Sequence, residues 1–251
     1  MQHPRRHPAA LCLLIAWGAA GASSCACQPA PRTAIPVLHA ARAAVAPRID
    51  GLLGDEAWRA ATPTDPFVDT LTGAAATPAS RARMTWDDDA LYVAFEVDDT
   101  FLRSTFTRND DRLWEQDVVE LMIDPDGDGA HYVELQVSPT NHVFDSWFDA
   151  RRVPAPFGHI AWSSELRSAV SLEGTVNDDD DDAGWHAEMA IPWTAFATVG
   201  PGTARPSPGA SWRIALYVLD ARAEGQTGVG WSAPLVGDFH VPARFGTVVF
   251  D

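Results

Sequence analysis

The stretch Asp117 to Ser138 (DVVELMIDPDGDGAHYVELQVS) contains two alternating segments separated by a turn rich in Asp and Gly. Successive side chains of a β-strand point to opposite faces of the sheet, so Val119, Leu121 and Ile123 form one fully apolar face. Residues 131–138 repeat the alternation, and a short Asp/Gly turn typically joins antiparallel strands. The stretch therefore predicts a β-hairpin that directs one face to a core.

The opposite face of this hairpin carries polar side chains. If Asp124 lies opposite Tyr132, the register places Glu120 directly opposite Gln136, whereas a shift of one residue would send every side chain to the other face. Carboxylate and amide groups supply the acceptors and donors that sugar hydroxyls need. We therefore predict that Glu120 and Gln136 hydrogen-bond a sugar.

Further strand-like segments recur along the chain, separated by turn residues. They cover residues 81–86, 90–98, 142–148, 166–176, 185–191, 211–220 and 247–250. Helical patterns are scarce, and the best are residues 54–61 and a short turn after Pro192. This spacing indicates an all-β fold, a β-sandwich or jelly-roll-like sandwich of immunoglobulin type with very little helix.

The composition is that of an ordinary globular chain of 251 residues, 46% hydrophobic and 21% charged. The formal net charge is -16, and all 18 basic residues are arginine. Nucleic-acid binding depends largely on basic groups that displace counterions from phosphate, so we exclude nucleic acid as a partner. Neutral ligands, cations and other proteins remain.

Residues 1–24 have the organisation of a signal peptide. Arg5 and Arg6 form a basic region, residues 9–20 are apolar, and residues 21–24 are small. A membrane-spanning helix needs about 20 apolar residues, so this segment is too short to be one. We therefore expect an exported protein, either a lipoprotein of the outer membrane or cell surface or a periplasmic or secreted protein.

The three cysteines lie within the first 27 residues. Cys25, with Cys27 as the alternative, follows small residues as the lipid-carrying cysteine of a bacterial lipobox does, so any membrane attachment is expected through a lipid anchor only. The Pro/Ala-rich residues 25–36 are predicted to form a flexible tether. Residues 37–251 are predicted to form one domain.

Two acidic segments stand out. Asp124, Asp126 and Asp128 have the alternate spacing that opens a calcium loop, but position twelve is Leu135, where an EF-hand requires a bidentate Glu. A plain hairpin turn and a structural calcium site both stay open as interpretations. Residues 178–182 are five consecutive Asp, which predicts a solvated hairpin tip, with cation capture as the alternative.

Three ring side chains lie in segments that lack the hydrophobic periodicity of a buried strand or helix. Trp114 precedes the first hairpin strand inside a polar segment, and Phe239 and His240 lie near the C-terminus in a predicted loop. The apolar face of a pyranose ring packs on an aromatic side chain. We predict that Trp114 and Phe239 stack on a sugar and that His240 hydrogen-bonds it.

A set of short segments, taken in order, is similar to carbohydrate-binding module family 9. The most specific is the block Trp114 to Asp124 (WEQDVVELMID), and the resemblance covers nearly the whole of residues 37–251. The other segments are Ile49-Asp50-Gly51 with Glu56 and Trp58, residues 86–93 (WDDDALYV), Trp185 with Glu188, Ile191 and Trp193, and Arg244-Phe245-Gly246.

The resemblance implies a non-catalytic β-sandwich that binds glucan- or xylan-type sugars, in the best-known members at the reducing end, as an accessory to polysaccharide breakdown. It implies that Trp114 and Phe239 clamp a sugar ring, although the second aromatic is a Trp in those members. The family's acidic partner matches Glu120, and its strand Arg falls on Gln136. No cofactor is required, and structural calcium is the one ion that the resemblance suggests.

Two other functions compete with this one. A glycoside hydrolase needs two carboxylates across the scissile bond; Asp117 and Glu120 point to opposite faces, whereas Glu120 and Glu134 share a face. Some similar sandwiches hold haem between a Met and a His, and Met122 with His131 or His142 would be the candidates. We predict neither, because the resemblance gives Glu120 a binding role and a Met at strand spacing usually packs.

Overall fold

A computed structural model of the chain describes residues 30–222 and 225–251. The predicted signal peptide, the two cysteines Cys25 and Cys27 and the start of the predicted tether lie outside these residues. The strands are β1 Val37–Ala40, β2 Val68–Asp69, β3 Ala79–Trp86, β4 Ala90–Asp98, β5 Val118–Asp124, β6 Tyr132–Val137, β7 Val143–Phe148, β8 Arg167–Glu173, β9 Gly184–Pro192, β10 Ser211–Arg222, β11 Gly225–Gly230 and β12 Gly246–Phe250. The helices are α1 Glu56–Ala60 and three 3₁₀ helices, Leu113–Glu115, Trp193–Thr198 and Pro242–Arg244.

The strands form two sheets. The larger has eight strands, in the order β1-β12-β10-β5-β6-β7, and β11 extends it by pairing with β10 and with β2. The smaller has four strands in the order β3-β4-β9-β8, all antiparallel. The prediction of an all-β sandwich with very little helix is confirmed.

The core lies between the inner faces of the two sheets. Val119, Leu121 and Ile123 of β5 are fully buried there, as their alternation predicted. They belong to one cluster with apolar side chains of β4 and β9, including Phe95 and Met189. Burying these faces supplies most of the free energy of folding, at roughly 25 cal/mol for each Å² of apolar surface removed from water.

The predicted register of the central hairpin is confirmed. Glu120 pairs with Gln136 and Met122 with Glu134 across β5 and β6. The strands are slightly shorter than predicted: β5 begins at Val118, β6 ends at Val137, and His131 has a φ of 49° and stands outside β6. A left-handed residue cannot continue the extended ladder, so β6 begins at Tyr132.

Three strands carry no recognisable pattern in the sequence. β1 and β2 are short, and β11 has the sequence GQTGVG. β11 forms because residues 217–222 of β10 offer a free backbone edge for pairing. Its glycines are needed there, since a Cβ on Gly230 would lie 2.6 Å from Tyr217 Cδ1.

The outer face of the larger sheet is covered rather than open to water. Val118, Met122 and Tyr132 are 1% exposed or less and form a second cluster with Phe148 and Phe245. Loops and two of the 3₁₀ helices lie over this face. Glu120 and Gln136 therefore lie beneath a second protein layer.

The last residues of the predicted tether contact the domain. The Arg32 N–H donates to Gly73 O at 2.7 Å, and Arg244 Nη2 donates to Thr33 O at 2.7 Å. Thr247 N donates to Pro36 O at 2.9 Å. A flexible tether stays a prediction for the residues that precede Arg32.

Two predicted surface features have defined surroundings. Asp178 to Asp181 are exposed, but Asp182 is buried and accepts hydrogen bonds from Leu102 N and Thr175 N, both at 2.8 Å. The last Asp of the run is therefore a structural acceptor and not part of a solvated tip. Within residues 30–222 and 225–251, every helix is too short or too polar to cross a membrane.

Candidate functional site

A cavity of about 290 Å³ opens on the outer face of the larger sheet. Its floor is formed by β5 and β6, and its walls come from the segments around Trp114, Phe157 and Phe239. The predicted residues Trp114, Glu120, Phe239 and His240 all line it. Gln136 lies beneath the floor, where it is completely buried.

Glu120 and Glu134 in the floor are held from beneath by one amide. Gln136 Nε2 donates to Glu120 Oε2 at 2.8 Å and to Glu134 Oε1 at 2.7 Å. Glu120 is opposite Gln136 on the neighbouring strand, and Glu134 is two residues away on the same strand and face. Because Glu120, Glu134 and Gln136 point to the same face of the hairpin, both carboxylates reach the side-chain amide of Gln136.

These carboxylates are hard to ionise together. Burial raises the pKa of Glu120 well above its usual range, and the charge of Glu134 raises it further. Burial also raises the pKa of Glu134. A shared amide donor stabilises one negative charge between two buried acids more readily than two.

His240 links this group to the surrounding loops. Its Nδ1 lies 2.8 Å from Tyr132 Oη, and its Nε2 lies 3.5 Å from Glu134 Oε2. Tyr132 Oη accepts from Arg152 N at 3.2 Å and is then free to donate to His240. Burial and then the charge of Arg152 lower the pKa of His240 to about 3, so the ring is neutral with Nε2–H directed at Glu134.

Trp114 forms one aromatic wall. Its 3₁₀ helix presents the ring beside Phe144 and Phe157, with ring centroids 5.1 and 5.0 Å apart. Gln226 of β11 holds the backbone, since its Nε2 donates to Trp114 O at 2.6 Å. Trp114 is half-buried, which leaves part of the ring open to the cavity.

Phe239 forms a second aromatic wall. It stacks on Tyr217 of β10 with centroids 4.4 Å apart and planes inclined by 23°. The ring fits over Gly228 of β11, where an added Cβ would lie 2.9 Å from Phe239 Cζ. Phe239 is half-buried, and like Trp114 it is positioned by neighbours that a sugar would not displace.

The loop that carries Phe239 is held by ion pairs. Asp238 accepts from Arg152 Nη2 and from Arg151 Nη2, both at 2.7 Å. Burial opposes ionisation, but the hydrogen bonds from Arg152 and Arg151 lower the pKa of Asp238 to about 2. This carboxylate stays charged above that pH and ties the segment 149–153 to the segment 237–240.

The sequence did not indicate the whole site. Glu134 lines the cavity with Glu120, and so do Phe144, Phe157 and Arg152. The alternation of side chains between the two faces, extended to the next strand, would have identified Phe144, since it pairs with Gln136 across β6 and β7. Arg152 and Phe157 lie in a long loop without periodicity and left no such signal.

The geometry weakens the two competing functions. Gln136 Nε2 donates to both Glu120 and Glu134, so this amide already occupies one oxygen of each carboxylate that hydrolysis by the pair would use. Met122 lines the cavity, but neither His131 nor His142 does. His131 packs against Gly200 instead.

Among residues 30–222 and 225–251, two groups of three Asp have carboxylate oxygens within 4.8 Å of one another. In the predicted calcium turn, Asp124 accepts from Gly127 N and Gly129 N, both at 2.9 Å, so hydrogen bonds within a hairpin turn already occupy this carboxylate. Asp126 and Asp128 are exposed and retain free oxygens. The three side chains fit both of the predicted interpretations. The second group is Asp99, Asp117 and Asp220.

Comparison with known families gives one match that spans most of the domain. The profile of the family described as "Carbohydrate family 9 binding domain-like" matches residues 49–251.

Curated relatives match the same part of the chain. Endo-1,4-beta-xylanase A of Thermotoga maritima is 27% identical over 207 residues, which are 80% of this chain and 17% of the enzyme. Exoglucanase XynX of Acetivibrio thermocellus is 30% identical over 207 residues, 81% of this chain and 16% of that enzyme. The chain thus spans about a sixth of the length of the curated relatives it matches.

Solved structures share the fold. A proposed carbohydrate-binding protein of Bacteroides uniformis superimposes with a TM-score of 0.71 at 18% identity, covering 87% of this chain and 100% of that one. A carbohydrate binding module family 9 from Caldicellulosiruptor kristjanssonii in complex with cellotriose superimposes with a TM-score of 0.60 at 20% identity, covering 86% and 93%. At these identities the likeness concerns the fold.

Proposed function

This chain belongs to the carbohydrate family 9 binding domain-like family and is a non-catalytic carbohydrate-binding module, and we propose that it binds glucan- or xylan-type chains in the cavity between Trp114 and Phe239. One observation supports this most strongly. Two half-buried aromatic rings that are far apart in the sequence, and the buried carboxylate of Glu120, line a single cavity. A pyranose ring requires an aromatic surface to stack on and a fixed hydrogen-bond acceptor beside it.

Each residue has a defined task in this proposal. Trp114 and Phe239 pack on the apolar faces of the sugar. Glu120 accepts from a hydroxyl, while Gln136 holds that carboxylate in place from below. His240 is neutral and orients Glu134, which makes it a positioning residue for the sugar contact.

The test is calorimetric titration with cello- and xylo-oligosaccharides, in native and borohydride-reduced form. We expect native oligosaccharides to bind. Trp114→Ala should weaken binding by about 1–3 kcal/mol, or about 5- to 150-fold. Phe101→Ala, which removes a ring outside the cavity, is the control. Loss of binding on reduction would identify capture at the reducing end, and equal binding would identify internal capture; binding of neither form would refute the proposal.

Accessory action in polysaccharide breakdown is part of the proposal. Its support is that the curated relatives are named as a xylanase and an exoglucanase and match this chain over a small part of their length. A pull-down of xylan- or cellulose-degrading enzymes onto insoluble substrate, with and without this chain, tests it. Unchanged retention and unchanged degradation would refute it.

Export and lipid anchoring at Cys25, or Cys27, stay proposals that rest on residues 1–27. Metabolic labelling with a radioactive fatty acid tests them, with Cys25→Ala and Cys27→Ala as the discriminating pair.

Structural calcium at Asp124, Asp126 and Asp128 is likewise a proposal. A rise in the midpoint of thermal unfolding with calcium, absent in Asp126→Asn, would support it, and no rise would leave the hairpin turn as the role of these residues.

A further inference from the structure

The floor of the cavity has more acceptors than donors. Among the described residues, Glu120 Oε1 and Gln136 Oε1 are buried without a hydrogen-bond partner, and of these two residues Glu120 lines the cavity. The hydroxyl of Tyr217, which pairs with Glu120 across β10 and β5, is a buried group without a partner as well, so the acceptors still outnumber the donors. Both hydrogens of Gln136 Nε2 are already donated, one to each carboxylate. A buried acceptor left unpaired is unfavourable, so the cavity favours an occupant that brings donors.

The two acids also lack a basic partner. Arg152 lines the cavity, but its Nε and Nη2 donate to Asp238 at 3.0 and 2.7 Å. Arg151 donates to the same carboxylate. The charge of Arg152 lowers the pKa of both acids from a distance, less than burial raises it. Within the described part of the chain, Glu120 and Glu134 form no ion pair with an arginine, and His240 beside Glu134 is neutral.

The walls are suited to a positive charge as well. Trp114, Phe144, Phe148, Phe157 and Phe239 surround the opening of the floor. The face of an aromatic ring carries negative potential and attracts cations. Buried carboxylates and aromatic faces thus favour the same kind of group, one that is cationic and rich in donors.

We propose that this site takes a saccharide with a protonated amine, a glucosaminyl residue, whose ammonium group lies on Glu120 and Glu134 while its ring lies against Trp114 and Phe239. This rests on the proposed carbohydrate function and names its ligand class. An ammonium group donates three hydrogen bonds, one hydroxyl only one. It also supplies the charge that the two acids lack.

The experiment compares three disaccharides that share a β-1,4 linkage: cellobiose, chitobiose with free amines, and N,N′-diacetylchitobiose. Each is titrated calorimetrically into the purified protein near pH 7, at low and at high salt. We expect chitobiose to bind about tenfold or more tightly than cellobiose, and the advantage to shrink at high salt. Acetylation removes the charge, so the diacetyl form should lose the advantage.

Two variants assign the effect to the floor. Glu134→Gln should reduce the preference for chitobiose over cellobiose severalfold, whereas Glu173→Gln, an exposed Glu at the end of β8, should leave it unchanged. The preference of the unaltered protein is decisive even if Glu134→Gln does not fold. Cellobiose binding that equals or exceeds chitobiose binding would overturn the proposal and leave the carbohydrate function standing. Binding of none of these sugars, nor of the cello- and xylo-oligosaccharides, would overturn both.

Discussion

Gln136 lies directly opposite Glu120 on the neighbouring strand, and its Nε2 donates to Glu120 Oε2 at 2.8 Å. The same nitrogen donates to Glu134 Oε1. One buried amide therefore sets the position of both acids in the cavity. The register of the hairpin and the electrostatics of the cavity both depend on this side chain.

Replacing Gln136 by Leu should destabilise the protein and weaken sugar binding. Two buried carboxylates would then face each other without their common donor, at a cost of about 1–3 kcal/mol. Urea unfolding measures the loss of stability, and titration measures the loss of affinity. Gln136→Glu, which keeps the shape and adds an acid, should be more harmful above neutral pH than below it. Unchanged stability and affinity in Gln136→Leu would contradict this role of the amide.

Gly228→Ala should weaken sugar binding without unfolding the protein. The added methyl group would lie 2.9 Å from Phe239 Cζ and would push the ring away from its stack on Tyr217. We expect affinity to fall by about 1 kcal/mol, or about fivefold. Gly54→Ala is the control, since its added Cβ would meet no atom within 4 Å and the residue lies outside the cavity. An equal loss in both variants would mean that the position of the Phe239 ring is not the cause.

Glu188 should be important for stability and not for sugar binding. Its carboxylate accepts from Asp50 N at 2.8 Å, Gly51 N at 2.5 Å and Trp58 Nε1 at 2.6 Å, on the outer face of the smaller sheet. Glu188→Ala leaves three donors unpaired, which should cost about 3 kcal/mol or more. At about 2–4 °C per kcal/mol, the midpoint of thermal unfolding should fall by roughly 6–12 °C. The exposed Glu173→Ala is the control, and an equally small change in both would refute the role.

The stability of the metal-free protein should decrease as the pH rises from about 4 to about 8. Burial raises the pKa of Asp117 to about 8 and that of Asp99 to about 6, both above the value of an unfolded Asp. At these two groups the folded state binds more protons than the unfolded state across this range, so their contribution to stability is fully present below about pH 4 and is lost as the pH rises through these values.

The free energy of urea unfolding, measured near pH 5 and near pH 8 in the presence of a chelator, tests this pH dependence. Asp117→Asn cannot ionise at this position. It should lose less stability between the two pH values than the unaltered protein, even if it is less stable at both. A free energy that increases with pH would show that the buried acids are ionised and compensated in the folded state.

The hairpin could be predicted because its information is local. The alternation of Val119, Leu121 and Ile123 with polar side chains determines which face is buried, and the Asp/Gly turn determines the register. Trp114 and Phe239 could be identified because an aromatic residue in a polar loop lacks a packing reason. The resemblance to a family added their pairing, which spacing alone does not supply.

The rest of the cavity depends on contacts between distant segments. Arg152 belongs to the site because Asp238, 86 residues later, holds it there. β11 has little intrinsic preference for a strand and forms because β10 offers a partner. Asp182 also depends on distant contacts. The run of five Asp predicted a solvated hairpin tip, whereas Asp182 is buried and accepts hydrogen bonds from two backbone N–H groups.

β1 and β12 are the one parallel pair in the larger sheet, and they join the first strand of the domain to the last. Val37 lies beside Thr247 and Ala40 beside Phe250, so the chain enters at one end of this pair and leaves at the other. A force between an attachment before Val37 and one at Asp251 would slide the two strands along each other. All of the hydrogen bonds between them would resist at once, in shear, rather than opening one after another. Tension applied across this pair of strands would therefore load its hydrogen bonds together.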